Sequence, residues 1–558
     1  MSSTSDHLEE PPSDVTQDDN GAGNIGSSTM GEEPHQDTPA TRRRAILIQL
    51  LVGLVANFAS LAPGMSLGFS AVALPQMKSP NSFPQISESE ESWIASLAAI
   101  ATPFGCLLSG PLLDRFGRKT SLLALNVPCV IGWILLGCAP HSEEGFLAQV
   151  YAGRILTGIG TGMASIPATV YLAEIAHSSL RGLLVTWTSV FISIGILTVY
   201  ILGSCLQENW RLVAFICSGF PMVAAVLVLF LPESPVWLLS NGRFQDAEKS
   251  FRRLRGVPSQ YKTPVYIHEE IDTITANIAQ QNARRQHTSW VANFRKSFFQ
   301  QQTIKPLLIM NTYFFFQQFS GIFVVIFYAV DIVKEAGVTL NVYLATVLIG
   351  VARVITSIIV SLASNKYGRR APSIISGVGM TICMGALATY LCLVKPEVNL
   401  IPSNGWLPVT ALIVYILTST VGFLTLPWAM IGEVFPSNVR GLASGITTCV
   451  AYVFSFIAIK IYPSMLHSLG TDGVFFFYGS ISLAGTIFVI FLLPETKGKT
   501  LLEIEEYFMS KKESNKPNEL IKNGSGDQDR ERILDSLEKP IIIVPSNPVH
   551  VAINSQPS

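Results

Sequence analysis

Residues 110–119 read Gly110-Pro111-Leu112-Leu113-Asp114-Arg115-Phe116-Gly117-Arg118-Lys119 and lie between two apolar runs, each long enough to cross a bilayer. Charge at this density has no place in a lipid-facing helix, so the stretch is a tight polar turn at a membrane surface, with Gly117 supplying the backbone freedom. A degraded copy, Ser361-Leu362-Ala363-Ser364-Asn365-Lys366-Tyr367-Gly368-Arg369-Arg370, follows much later between two further apolar runs. The chain reads as two halves built on one plan.

The composition of the 558 residues agrees: 49% are hydrophobic, only 14% are charged and the mean hydropathy is +0.40. A soluble domain carries about a quarter charged residues, so this is an integral membrane protein. With a net charge of −1, no overall polyelectrolyte character points to nucleic acid, and no nucleic-acid partner is expected. The eight cysteines show no C-x-x-C spacing and nearly all fall in apolar runs, which makes them small hydrophobes rather than a metal site or a disulfide framework.

Residues 1–41 contain nine acidic residues and no Lys or Arg, are rich in Ser, Gly, Pro and Thr, and lack the apolar core of a cleavable leader. A disordered tail to residue 44 is expected, ending in Arg42-Arg43-Arg44. Twelve apolar stretches follow, near 46–74, 92–113, 120–139, 146–171, 183–205, 211–231, 305–331, 341–363, 371–394, 406–431, 441–462 and 473–493. Their length, without strict alternation, predicts membrane-spanning helices. Basic residues crowd one set of loops (Arg115, Arg118, Lys119, Arg181, Lys366, Arg369, Arg370, Arg440), whereas Lys78, Lys334 and Lys395 are the only ones between spans on the other side. The basic side is then cytoplasmic and both termini are inside. The fold class is an all-α membrane protein: six helices in 45–231, a cytoplasmic linker with short helices in 232–304, six helices in 305–507, and a disordered tail in 508–558.

Two more motifs repeat in the same order as the turn. Glu174-Ile-Ala-His-Ser-Ser-Leu-Arg181-Gly182 answers to Glu433-Val-Phe-Pro-Ser-Asn-Val-Arg440-Gly441, and Leu231-Pro232-Glu233-Ser234 to Leu493-Pro494-Glu495-Thr496. Parallel halves with a site between them are the architecture of a secondary transporter. Together with Gln317-Gln318-Phe319-Ser320-Gly321, these motifs closely resemble the sugar-porter branch of the major facilitator superfamily over roughly residues 45–507. Within it, Gly64-Met-Ser-Leu-Gly68-Phe69-Ser70-Ala-Val-Ala-Leu-Pro75 looks most like facilitated trehalose transporters of insect type.

The resemblance implies a facilitative carrier for trehalose or a hexose in the plasma membrane. No enzymatic triad, metal cluster or phosphate loop appears, and no cofactor is called for. Asp114, Arg115, Arg118, Glu174, Arg181, Arg369, Glu433 and Arg440 could be plain topology anchors; the resemblance makes them a cytoplasmic ion-pair network holding the halves together when the cavity opens outward. The substrate path is expected along helices 1, 4, 5, 7, 8, 10 and 11. Gln317 and Gln318 offer amides that suit sugar hydroxyls or bond between helices. Phe323 stands where the porter pattern has Asn, and Tyr328 lies farther along the same span. Trp428 occupies the family's stacking position, Tyr452 replaces a common Trp, and Ser189 replaces the Gln of many hexose facilitators.

Arg353 lies mid-span, where an ionised guanidinium costs at least ~2.5 kcal/mol and marks a functional site by default. It contacts sugar hydroxyls, closes the cavity, or pairs structurally with a carbonyl or helix end. Proton-coupled relatives carry an Asp on helix 1 facing an Arg on helix 4. This chain has Ser70 and Arg154 there, and no Asp or Glu in 46–75. Ser cannot carry a proton, so facilitated diffusion leads, with a proton symporter or a non-transporting sugar sensor as alternatives.

Overall fold

The computed structural model describes residues 39–79, 84–257, 263–286, 300–335, 341–363, 368–394, 406–436, 439–497, 499 and 501–508. Most of the two expected tails, and Asn365 and Lys366 of the repeated turn, lie outside these residues. All regular structure among the described residues is helical.

Span 1 comprises Pro39–Phe58 and Leu61–Met77, span 2 Glu88–Phe116, span 3 Arg118–Ala124 with Asn126–Gly137, and span 4 Phe146–Ala164 with Pro167–Ile175. Spans 5 and 6 are Ser178–Cys205 and Trp210–Leu229. Span 7 is broken into Gln301–Phe319, Ile322–Phe327 and Ala329–Glu335. Span 8 is Val342–Ala363, span 9 Arg370–Val394, and span 10 Trp406–Val421 with Leu426–Val434. The continuous stretch Arg440–Leu492 turns back at Gly470, whose φ of 71° and ψ of 170° are not helical, giving spans 11 and 12.

Ten helices among the described residues are long and apolar enough to cross a membrane. Counting the kinked last one twice and adding span 7 gives the expected twelve. Span 7 fails the apolar criterion because Gln301, Gln302, Lys305, Asn311, Gln317 and Gln318 dilute it, which suits a helix lining a polar path.

Apart from the interruption of span 3 at Leu125, whose φ of −63° and ψ of −27° stay helical, the breaks fall in spans 1, 4, 7 and 10, the first helix of each three-helix set. Pro63, Pro167 and Pro427 follow three of them, where a missing N–H costs no helical bond. At the span 7 break, Gly321 takes φ +92° against the Tyr478 ring. Within the first half, span 1 packs on span 5 and span 2 on span 4. A methyl on Gly64 would strike the Ile192 carbonyl oxygen and one on Gly195 the Leu61 carbonyl; Gly105 and Gly162 meet the carbonyls of Ile159 and Thr102 in the same way. Backbone-to-backbone approach of this kind is how helices associate in lipid. Gly110 and Gly445 meet nothing within 4 Å and serve no such contact.

Span 2 against span 11 and span 5 against span 8 join the halves. Large apolar side chains such as Phe104, Leu107, Leu108, Val226 and Phe491 stay exposed on the outer surface, the pattern of a lipid-facing wall. The linker helices Pro235–Ser240, Phe244–Leu254 and Val265–Gln286 close a small core of their own around Leu238, Leu239, Phe251, Ile267 and Ile271. They sit on the face carrying the Arg118 and Arg369 turns, called the basic face below.

Candidate functional site

On the basic face each half builds one corner by the same rules. Gly117, at φ +92°, ends span 2 and starts span 3. The Glu233 carboxylate accepts the Arg118 and Lys119 backbone N–H groups at 2.9 and 3.1 Å, a negative charge at a helix N-terminus. The Arg118 guanidinium then grips Glu174, with Nε 2.8 Å from Oε2 and Nη2 2.6 Å from Oε1, while Ser234 Oγ donates to Glu174 as well. In the second half Glu495 accepts from the backbone N–H groups of Arg369 and Arg370 at 2.8 and 3.0 Å. Arg369 Nη2 lies 2.7 Å from Glu433 Oε1, and Thr496 Oγ1 donates to Glu433 Oε2 at 2.7 Å. Lys119 Nζ reaches the Leu229 carbonyl at the end of span 6, and Arg370 reaches the Ile490 carbonyl near the end of span 12.

Both Arg–Glu ion pairs therefore close within a half, not between halves. Each arginine leaves its turn towards the nearest carboxylate, one span over in its own half. Asp114 and Arg115 are exposed. The Asp114 carbonyl accepts from Trp237 Nε1 at 3.0 Å, and Arg115 lies over the Phe116 ring, so among the described residues neither charge enters an ion pair. Arg181 is exposed too, and Arg440 Nε donates to the Phe435 carbonyl at 3.2 Å while its Nη2 is buried without a partner. Glu233 and Glu495 were read only as part of a repeat; their signal was a Glu at matched positions after spans 6 and 12.

Deeper in, Gln317 Nε2 donates to the Phe423 and Leu424 carbonyls at 2.6 and 2.9 Å. These carbonyls are freed by the break in span 10, so the Gln317 amide N–H group is spent on the scaffold and not held open for a ligand. Gln318 Nε2 donates to Gln317 Oε1 at 3.3 Å, and its own Oε1 is buried and unpartnered. Trp428, half-buried just past the span 10 break, meets Phe314 edge-on at 4.8 Å and Tyr452 at 5.5 Å. Tyr452, on span 11, lies near Ser165, at the break in span 4 of the other half. Phe323 is buried, and the buried Tyr328 ring lies 4.7 Å from that of Tyr462 with its hydroxyl unpartnered.

Span 5 meets span 8 along a row of polar groups. Thr186 Oγ1 lies 2.6 Å from Ser361 Oγ, Ser193 Oγ 2.8 Å from Ser357 Oγ, and Arg353 Nε donates to Ser193 Oγ at 3.4 Å. Ser189 is one turn away, its carbonyl accepting from Ser193 Oγ. Arg353 is 5% exposed and its Nη1 has no partner. The structure thus groups Trp428 with Tyr452 and Gln317 with Gln318, and leaves Arg353 and Ser189 on the span 5–span 8 seam.

Arg154 contrasts with Arg353. Fully buried, it donates to the Ile94 carbonyl at 2.9 Å, the Ser66 carbonyl at 3.1 Å, the Ala95 carbonyl at 3.4 Å and Ser70 Oγ at 2.7 Å. A guanidinium offers five N–H donors, and four partners drawn from spans 1 and 2 take up four of them, with no carboxylate among the partners.

A family described as "Sugar (and other) transporter" matches residues 52–508. The chain belongs to that family. It is 34% identical over 475 residues to the "Facilitated trehalose transporter Tret1" of Aedes aegypti, covering 85% of this chain and 56% of that protein. The protein of the same description in Culex quinquefasciatus is 34% identical over 459 residues, covering 82% of this chain and 85% of its own length. The chain spans little more than half of several of these relatives. Among solved structures, the major facilitator proton:xylose symporter XylE bound to 6-bromo-6-deoxy-D-glucose aligns with a TM-score of 0.67 at 22% identity, over 83% of this chain and 100% of that one. The inward open conformation of XylE from E. coli gives 0.66 at 23%, over the same shares. The major facilitator fold of twelve spans is thereby shown.

Proposed function

We propose that this family member is a facilitative sugar carrier that moves trehalose, or a hexose, down its gradient by alternating access at the plasma membrane, without proton coupling. The observation that carries the reading is Arg154. A coupled cycle needs a titratable group facing such a guanidinium; Ser70 Oγ stands in that place, and carbonyls complete the set. The names of the insect relatives support trehalose as the first substrate. The Phe314–Trp428–Tyr452 group offers an aromatic wall for the apolar face of a pyranose, and Gln318 Oε1 an acceptor for its hydroxyls. Arg353, with Nη1 unpartnered, joins this candidate site from the seam. The basic face is read as cytoplasmic, with both termini on that side.

Labelled trehalose and glucose uptake in the same expressing cells, with and without an imposed proton gradient, tests this. Equilibrating uptake without inward current is expected. Accumulation above equilibrium with an inward current overturns it. Arg353→Ala with wild-type affinity and rate at normal surface expression removes that residue from the site.

A further inference from the structure

On the face opposite the two corners, spans 1, 2 and 7 bring charges of both halves together. Lys78 follows the last turn of span 1, and its Nζ lies 3.1 Å from Glu91 Oε2 at the start of span 2. Glu91 is 4% exposed. From the second half, the last piece of span 7 packs against span 1 and carries Asp331 and Glu335. Asp331 Oδ2 is buried without a hydrogen-bond partner, and the Tyr462 hydroxyl donates to Glu335 Oε2 at 3.4 Å. Beside Glu91 and Asp331 stands the Tyr328 hydroxyl, fully buried and also unpartnered.

The remaining charged and titratable groups facing this cluster do not balance it. Glu88 on span 2 adds a fourth carboxylate near Glu91, and Lys334 on span 7 is exposed. Tyr343 of span 8 and Tyr478 of span 12 are neutral phenols, and Arg154 behind Tyr328 is committed to Ser70 and backbone carbonyls. Burial works against the Lys78 charge, yet Asp331, Glu91 and Glu335 outweigh it and hold its ammonium above the ordinary pKa. One half-exposed ammonium, paired with Glu91, thus faces three carboxylates across the junction of the halves.

We infer that Glu91, Asp331 and Glu335 form a proton-binding site, assembled when this face closes, so that closure takes up a proton from the adjoining medium and acid holds the face shut. Parting the halves hydrates the carboxylates and separates Glu91 of the first half from the two on span 7, which lowers their proton affinity. The closed state then binds more protons than the open one, and the state that binds more protons gains as pH falls. Because Lys78 and Glu335 lie at the rim in contact with the medium, the proton comes from and returns to one side. Closure depends on pH while no proton crosses the membrane.

The test uses the purified full chain in nanodiscs, where neither sugar nor gradient is needed; a failure of the transport reading leaves it intact. Ala329→Cys places a thiol at a buried position of the closing piece, and native Cys138, exposed at the end of span 3, serves as internal reference. Maleimide labelling is read peptide by peptide. The Ala329→Cys signal relative to Cys138 is expected to fall several-fold from about pH 8 to about pH 5.5, and to be low and flat when Asp331→Asn and Glu335→Gln are added. Lys78→Met, at a half-exposed position, moves the midpoint to higher pH. A pH-independent ratio in the parent, an unchanged response in the neutralised variant, or an unmoved midpoint in Lys78→Met overturns the proposal.

Discussion

The two corners of the basic face obey one design, yet the first is the more enclosed. The Arg118 and Glu174 side chains are 13% and 15% exposed, whereas Arg369 and Glu433 are 19% and 33% exposed. The difference comes from what covers them. Over the first corner lies the linker: Ser250 Oγ donates to the Glu233 carbonyl at 2.6 Å and Trp237 Nε1 to the Asp114 carbonyl. Over the second, Thr496 supplies the hydroxyl that Ser234 supplies in the first. Enclosure, and not the number of charges in the motif, sets how much each corner can contribute, because water weakens an ion pair it can reach.

That contrast can be broken by substitution. The largest effect is expected from Glu174→Ala, which strands the Arg118 guanidinium in an enclosed corner and costs about 3 kcal/mol; Glu433→Ala costs about 1–2 kcal/mol because its corner is wetter. Thermal or denaturant unfolding of the purified variants checks the order, and equal losses would erase the distinction. Next come the turn glycines. Gly117→Ala combines a positive φ with a methyl driven into the Glu233 carboxylate and costs about 2 kcal/mol, while Gly368→Ala meets Glu495 without a positive φ and costs about half as much. The same unfolding measurement reads both.

A smaller effect follows from pH. Burial pushes the Glu495 carboxyl up, but the backbone N–H groups of Arg369, Arg370 and Lys497 outweigh it and hold its pKa below the ordinary 4.5. A depressed folded-state value means that the stabilisation is present above the unfolded pKa and disappears as pH falls through the folded one. Stability should decline on acidification below about pH 4.5, and Glu495→Gln should remove that component of the slope. The smallest effect belongs to Asp114→Asn. With its side chain exposed, the change is expected to stay within about 0.5 kcal/mol, despite Asp114 being the residue that most distinguishes the first turn from its copy.

This last point shows what a sequence discloses. Twelve spans and the repeat were legible because hydropathy over some twenty residues survives any detail of packing. Asp114 could not be told from Arg118 because exposure is a tertiary property: nothing in Asp114-Arg115-Phe116-Gly117-Arg118 says that only Arg118 turns inward. For Gln317 the sequence left sugar hydroxyls and bonding between helices both open, because the break at 422–425, which frees the carbonyls it satisfies, has no signature beyond Pro427. The substitution of Ser70 for an acid could be seen directly, whereas its bond to Arg154 needed the fold. The cluster of Lys78, Glu91, Asp331 and Glu335 escaped notice because its members come from three spans in two halves, and each looked like an ordinary loop charge.

The glycine contacts of the first half reach beyond packing. Where the Ile192, Leu61, Ile159 and Thr102 carbonyls leave no room for a methyl, any side chain would pry two helices apart, while Gly110 and Gly445 have open space. A saturation-mutagenesis screen of this chain would therefore read as a wiring diagram of motion. Glycines that refuse every substitution mark helix pairs that travel as one body through the cycle, and glycines that accept them mark surfaces free to slide.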